Sequence, residues 1–514
     1  MKVRLLTSWF AGLLALAAAE PGDLLRFSNG DQLHGTFRGI KDGSAIWIRD
    51  DVANPVEFKT TQLRHVVLRG GHPVKALASL SHVALVNGDR VAGKIVALDD
   101  ENVILETSYA GTLHIPRRQV AMLAPSPLGG RLRYHGPFND DGWKMAHAAF
   151  PDGLPPEKTG PPAAENSDEK GDQADDKTDD PGRWIFSGSA WYWANKSFGT
   201  ALYRDQSMPD RAIVRFDVAW KNRLSLAVAF HSDYAKAKPA EKVEGAADKP
   251  GGRPNGFVAG DSGVLPVLFG NSYVLQIFST HMMLCRTSVE GDGMPVERLQ
   301  INGNAVRLGD AGKATVELRC NRQSGEIAVF INDEFVVQWN EGGPEPGDTS
   351  HYAGKGAGIG FAVQTEDSQV KISDILIAEW NGMPDSARSL QTDEQDIVLL
   401  ANGTDRFSGK VESFHDGKVA LDGKYGHFFF DLDDIAEIRF ARNHLDKAST
   451  VPPDQVVVRL SPLGQITGRP LSGTADSLRL LSPVCGEINL NLDPAIMLDF
   501  KISNNFIDDW DADF

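Results

Sequence analysis

The residues of this chain that could do chemistry are few and scattered. Three carboxylates, Asp217, Glu317 and Glu379, stand on or beside segments of strand-like alternation. Two carboxyl groups about 5–10 Å apart across a cleft can supply the acid and the base or nucleophile that cleave a glycosidic bond. Nothing in the spacing brings any two of these three together, so no catalytic set is assigned. Glu379, next to Trp380, is the first to test. His231 and Asp233 form a candidate metal pair, though an isolated pair of this kind is more ordinarily surface chemistry. Calcium on a loop, held by groups such as Asp292 or Asp367, is the one cofactor the acids suggest. No zinc spacing, nucleophile elbow or phosphate loop is present.

The candidate ligand-binding residues are Trp191, Tyr192 and Trp193. An apolar sugar face stacks on a flat ring while polar neighbours bond the hydroxyls. In an extended segment Trp191 and Trp193 share one face and Tyr192 takes the other. Two readings follow: a sugar platform, or two tryptophans filling a core with Tyr192 at its rim. The three cysteines, Cys285, Cys320 and Cys485, are too sparse for a disulfide framework. They read as buried thiols, with a Cys285–Cys320 bridge as the alternative.

Lys2 and Arg4, an apolar run from Leu13 to Ala19 and small residues before Glu20 make residues 1–19 a secretory leader. Its apolar part is shorter than the 20 or so residues that span a bilayer, and no later segment is a transmembrane candidate. Without the leader, 50 basic residues face 69 acidic ones, a net charge near −19. That charge repels phosphate backbones and argues against nucleic acid as a partner. The expected setting is periplasmic or extracellular.

The elements that must position any site come as internal repeats. Residues 24–37, LLRFSNGDQLHGTF, and 83–96, VALVNGDRVAGKIV, share a strand, Asn-Gly-Asp, an apolar residue and a glycine, Gly35 or Gly93. Asn-Gly predicts a tight I′ hairpin with both residues at positive φ. The second glycine predicts a bulge or bend. Residues 397–411 repeat the pattern with Gly409, and a decayed copy from Val456 to Phe500 keeps Gly468. Four small barrels of about five strands are expected, at 20–70, 78–125, 396–441 and 455–501, with an acidic tail at 502–514. The Asn-Gly-Asp-x-Leu-x-Gly pattern resembles small SH3-like or Sm-like β-modules of bacterial envelope proteins. The resemblance implies an envelope setting and contact with protein or glycan, and no catalytic residue.

The run Asp433-Asp434-Ile435-Ala436-Glu437 resembles the carboxylate-bearing strand of some sandwich-fold glucanases. It aligns with Arg117–Met122 of the second copy, where no acid stands, so these acids read as solvated turn residues.

Between the pairs lies a region of different texture. Residues 130–150 form a connector or the start of the next domain. The stretch within 151–182 is low in complexity; Glu157–Asp180 holds nine acids and three bases and is expected to be disordered. From 183 to 382, interrupted by a polar insert at 235–256, strand follows strand with scarcely a helix-period segment. This predicts an antiparallel two-sheet jelly-roll sandwich, and an all-β chain overall. The order RAIVRFDVAW, NSYVLQIF, ATVELRCNRQSGEIAVFINDEFVVQW and GAGIGFAVQTEDSQVKISDILIAEW resembles concanavalin A-like domains of the laminin-G-like or 3-keto-disaccharide hydrolase type. Three functions remain open: an exported protein binding a glycan or an envelope protein through the sandwich, a glycoside-processing enzyme, or an assembly component that self-associates.

Overall fold

The computed structural model describes residues 22–29, 31–127, 131–148, 182–193, 198–235, 264–290, 296–299, 307–332, 334–342, 352–366, 368–380, 392–402, 405–447 and 454–500. The leader, the acidic stretch, the insert beyond Ala235, Asp292, Asp367 and the tail lie outside these residues. The chain is essentially all-β and its sheets are antiparallel. Among the described residues the α-helix content is one short segment, Val264–Phe269, and no helix is long and apolar enough to cross a membrane.

Each sequence copy folds as five strands in the order 5-1-2-3-4, the second strand of copy 2 being broken at Gly93 into Arg90–Ala92 and Lys94–Leu98. In copy 1, Asp23–Phe27 pairs with both Gln32–Lys41 and Leu63–Val67, and Ser44–Ile48 joins Gln32–Lys41 to Val56–Lys59. The glycine after the first hairpin lets strands 2 and 3 approach closely. A Cβ at Gly35 would collide with the Trp47 indole, and one at Gly409 with the Asp422 carbonyl. The bulge itself falls a few residues later, between Phe37 and Gly39 and between Val411 and Ser413.

The Asn-Gly turn differs from the I′ expectation. Gly88 is at φ +91°, while Asn87 is not among the positive-φ residues. Its side chain closes the turn instead: Oδ1 accepts from Asp89 N at 3.1 Å and Nδ2 donates to Asp89 Oδ2 at 3.0 Å. Asparagine acts here through its side chain rather than its tolerance of left-handed backbone. Both residues of a tight turn are at positive φ in Asp42-Gly43 and Asp416-Gly417, between strands 2 and 3.

In sequence the copies form two separated pairs; in space they form one platform. Their last strands pair antiparallel: Leu63–Val67 of copy 1 with Ala495–Asp499 of copy 4, and Val120–Ala124 of copy 2 with Ile435–Arg439 of copy 3. The registers Val66↔Leu498 and Leu123↔Ile438 join equivalent positions, so each seam is locally two-fold. Copy 2 also meets copy 4, where buried Asp89 accepts from Thr467 N at 3.0 Å and Oγ1 at 2.6 Å. One apolar cluster runs through all four, including Leu25, Val83, Val398 and Val458. Each such side chain contributes about 1.5–3 kcal/mol on burial.

The sandwich is inserted between copies 2 and 3. Its first sheet orders Ile185–Ser187, Ala190–Trp193, Gln369–Glu379, Arg211–Lys221, Gly312–Asn321, Glu326–Ile331 and Glu334–Asn340, with Leu132–Gly136 added on Gln369–Glu379. The second orders Trp143–His147, Thr200–Arg204, Gly358–Val363, Ser225–Ser232, Ser272–Phe278, Met282–Thr287 and Val296–Leu299. The two sheets enclose a core that includes Phe216, Phe230, Phe361 and Ile377. The outer face of the first sheet rests on the platform: Arg26 Nη1 donates to Ser187 Oγ at 3.1 Å, and Leu376 and Ala378 pack with Leu463.

Candidate functional site

Alternation along Arg211–Lys221 sends Val214, Phe216, Val218 and Trp220 into the core and turns Ile213, Arg215, Asp217 and Ala219 to the outer face. Glu317 stands directly across from Arg215, and Thr315 across from Asp217. The structure therefore brings Asp217 and Glu317 to one face, two positions apart in register. Both are engaged. Asp217 Oδ1 accepts from Thr315 Oγ1 at 2.6 Å and Oδ2 meets Lys313 Nζ at 3.2 Å. Buried Glu317 accepts from Arg319 Nε at 2.7 Å and lies 3.5 Å from Arg215 Nη1. The Arg319 guanidinium stands 4.6 Å from the Phe330 ring centroid. Glu379 is elsewhere, at the end of its strand, paired with Arg133 on the surface.

Opposite Phe216 the neighbouring strand bulges, its register jumping from Arg215↔Leu376 to Asp217↔Ser373. The bulge puts Asp374 at φ +49°, a backbone state that aspartate tolerates better than most residues. Asp374 is aimed at the platform, where Arg90 of copy 2 binds it through two nitrogens, at 3.1 and 2.5 Å. His135 adds Nε2 at 2.9 Å, its Nδ1 facing the Pro462 carbonyl of copy 4 at 2.5 Å. Burial alone would raise the Asp374 carboxyl, but Arg90 and His135 outweigh it and hold it well below the usual range.

Between this sheet face and the seam of copies 2 and 3 lies a partly open cavity of about 160 Å³. Its polar lining is His82, Arg90, Arg215, Asp374, Glu437 and Arg439, over an apolar floor that includes Met122 and Leu463. Arg439 donates Nε to Glu437 Oε2 at 3.0 Å. Buried His82 faces the Leu80 carbonyl through Nδ1 at 2.8 Å, and desolvation pulls its pKa down to about 4. Its ring is neutral at pH 7, with Nδ1 as the donor to that carbonyl.

Glu437 departs from the turn expectation. Asp433 and Asp434 are exposed on a 3-10 turn, but Glu437 is half-buried on the last strand of copy 3 and lines the cavity. Sequence reasoning missed Arg90, Arg215 and Arg439. Arg215 sits with Asp217 on the polar side of an alternating strand and Arg439 ends a strand that also carries Glu437, so neither stands out in the sequence.

Trp191 and Trp193 lie in the sandwich core, 4 and 0 % exposed, packed against Phe186 and Trp184. Tyr192 points to the platform side, buried, with Lys371 Nζ 5.4 Å from its ring centroid. No ring of the three offers an open face to a sugar. His231 and Asp233 do not converge as a metal pair. His231 is buried, Nδ1 at 2.7 Å from the Tyr352 hydroxyl and Nε2 at 2.9 Å from the Pro209 carbonyl. Asp233 accepts from Ala235 N and from Asn271. Cys285 and Cys320 are free; burial pushes their thiols up to about 11 and about 12, which disfavours thiolate chemistry. Among the described residues the one group with metal-ligand spacing is Glu412, Asp422 and His427, exposed on copy 3 with ligand atoms within 4.8 Å of one another.

No family model matches the chain, and no curated protein matches it. Solved structures similar to part of it include the carbohydrate-binding module CBM66 from Bacillus subtilis, at 10 % identity over 38 % of this chain and 92 % of that one, with a TM-score of 0.23. A Bacillus subtilis protein of unknown function with a galectin-like fold matches at 14 % identity over 49 % and 96 %, TM-score 0.27. A putative glycosyl hydrolase from Parabacteroides distasonis matches at 12 % over 38 % and 88 %, TM-score 0.22. Likenesses of this strength assign neither family nor activity.

Proposed function

We propose that the chain is an exported binding protein that holds a glycan against the outer face of its sandwich, at the junction with the platform. The observation that carries this reading is the cavity lined by guanidinium groups and carboxylates from the sandwich and two copies. Sugar hydroxyls need donors and acceptors together, and such pairs supply both. Pockets at domain junctions are also a usual place for ligands. The test is a glycan array probed with the full chain. Binding is expected, and Arg215→Ala should weaken it about tenfold, or about 1.4 kcal/mol. A folded protein that binds no glycan ends this reading.

One observation favours a glycoside-processing enzyme instead: Asp217 and Glu317 share a face. That reading predicts turnover of a sugar panel by the native chain, abolished in Glu317→Gln. No turnover across the panel removes it.

A further inference from the structure

The geometry points to a neutral sugar ring as the group seated in the junction cavity, and to ligand binding that tightens the hold of the sandwich on the platform. This inference rests on the glycan reading above and goes beyond it in ligand class and in consequence.

The ligand class follows from charge balance. Three guanidinium groups line the cavity, but Asp374 and Glu437 line it as well, and Glu317 stands against Arg215. Arg90 and Arg439 are each matched by a carboxylate, Asp374 and Glu437, and Arg215 shares Glu317 with Arg319. An entering anion would lie near Asp374 and Glu437 and would have to displace a matched pair. A hydroxyl, donor and acceptor at once, can join such a pair without breaking it. Neutral His82 adds no positive charge. The size admits the ring of a sugar but not all its substituents. A cavity of about 150 Å³ takes one benzene, and this one measures about 160 Å³ and is partly open, so some hydroxyls would extend through the opening. Its open side lets the rest of a glycan leave, so the seated group is a terminal residue.

The consequence follows from ownership of the walls. Arg215 and Asp374 belong to the sandwich, His82 and Arg90 to copy 2, Glu437 and Arg439 to copy 3. A ligand touching all three bodies binds their docked arrangement and no other. Its binding free energy therefore adds to the docking, by mass action.

The full chain and two variants are compared on the glycan array, followed by melting curves and amide exchange with the bound glycans. Ala84→Trp places an indole in the cavity from a partly exposed position. Glu437→Gln leaves the volume and removes one negative charge. Expected are bound glycans that end in neutral sugars, a loss of about tenfold or more in Ala84→Trp, and a shift in Glu437→Gln toward glycans ending in uronic or sulfated residues. Bound glycan should raise the melting temperature and slow exchange in Gln369–Glu379 and Arg90–Ala92. If the native chain prefers acidic termini, or if exchange at the junction does not slow, the inference falls while the glycan reading stands. If Ala84→Trp folds and binds unchanged, the ligand sits outside the cavity and both fall. If no glycan binds, both fall. Since Glu437→Gln keeps the size of its side chain, it remains informative if Ala84→Trp fails to fold.

Discussion

The two seams of the platform are built alike and used differently. In one, His65 of copy 1 lies opposite Asp499 of copy 4; in the other, the equivalent residues are Met122 of copy 2 and Arg439 of copy 3. Both seams face the outer surface of the same sandwich sheet. At the first, the turn at Gly188 presses onto the His65 ring, Asp499 Oδ1 lies 3.4 Å from His65 Nδ1, and the junction is shut. At the second, the sandwich presents Arg215 and Asp374; Asp374 closes on Arg90, and a cavity remains beside that pair. A repeated backbone thus supplies one junction for holding and one with room for a ligand. The choice between them lies in two side chains per seam and in what the sandwich sets against them.

The largest effect is expected at the clamp beside the open seam. Asp374→Ala removes the partner of Arg90 and His135 from a site where both side chains of the ion pair are less than a quarter exposed. Breaking such a pair costs about 3–5 kcal/mol because it strands the remaining charge. Chemical denaturation should report a large fall in midpoint. The double variant Arg90→Met with Asp374→Asn should recover much of it, since asparagine keeps the left-handed backbone at 374 and neither charge of the pair is left behind. Recovery no better than the single variant would mean that the pair does more than neutralise itself.

Acid should separate the regions next. His82 at the open seam and His231 in the sandwich are both pulled down to about 4 by burial, and burial also lowers His65 at the closed seam. A histidine whose folded value lies below its unfolded one takes up its proton first in the unfolded chain. The stability it lends is therefore whole above about pH 6.5 and is lost as pH falls toward 4, by about 3 kcal/mol per group at most. Denaturation midpoints between pH 7 and 4 should fall steadily, and His82→Gln should flatten the slope. An unchanged slope would show that His82 is not protonated differently in the two states.

The closed seam can be pried open with less. Gly188 is at φ +63°, and a Cβ there would strike the His65 ring. Gly188→Ala should cost about 2 kcal/mol, part of it backbone strain. Amide exchange should quicken in Leu63–Val67 before it changes in Val120–Ala124. Equal quickening at both seams would mean that the sandwich docks as one unit and that the two seams do not differ in dynamics.

How much of this could be read in advance varies by kind of contact. The copies announce themselves through Gly35, Gly93, Gly409 and Gly468, because close approach of strands 2 and 3 is a local demand on one residue. The sandwich strands are equally open to view, since Val214, Phe216 and Val218 alternate with Arg215 and Asp217. The seams are not. Pairing Val66 with Leu498 joins residues at opposite ends of the chain, and nothing local in either segment names its partner. The cavity is hidden for the same reason: Arg90, Arg215 and Arg439 come from three distant strands. Trp191 and Trp193 fit a sugar platform in type and spacing, and the same alternation is what buries both rings. Helix Val264–Phe269 is missed because six apolar residues containing a proline carry too short a period to recognise.

The smallest effect is expected farthest from both seams. On strand 4 of copy 3 the outward position is Phe429, 69 % exposed, with Tyr425 at the turn 87 % exposed. The equivalent outward residues of the other copies are Glu57, His114 and Asn489, all polar. Nothing in the barrel therefore requires a ring there, and Phe429→Ser should change the denaturation midpoint by no more than about 0.5 kcal/mol. Glycan binding should be unchanged as well, since the residue does not line the cavity. If the chain self-associates, the same substitution separates the two roles of the platform. A concentration-dependent mass in light scattering that disappears in Phe429→Ser, with the glycan affinity intact, would assign assembly to the outer strands and recognition to the open seam. A loss of glycan binding in this variant would instead move the ligand out of the cavity and onto copy 3.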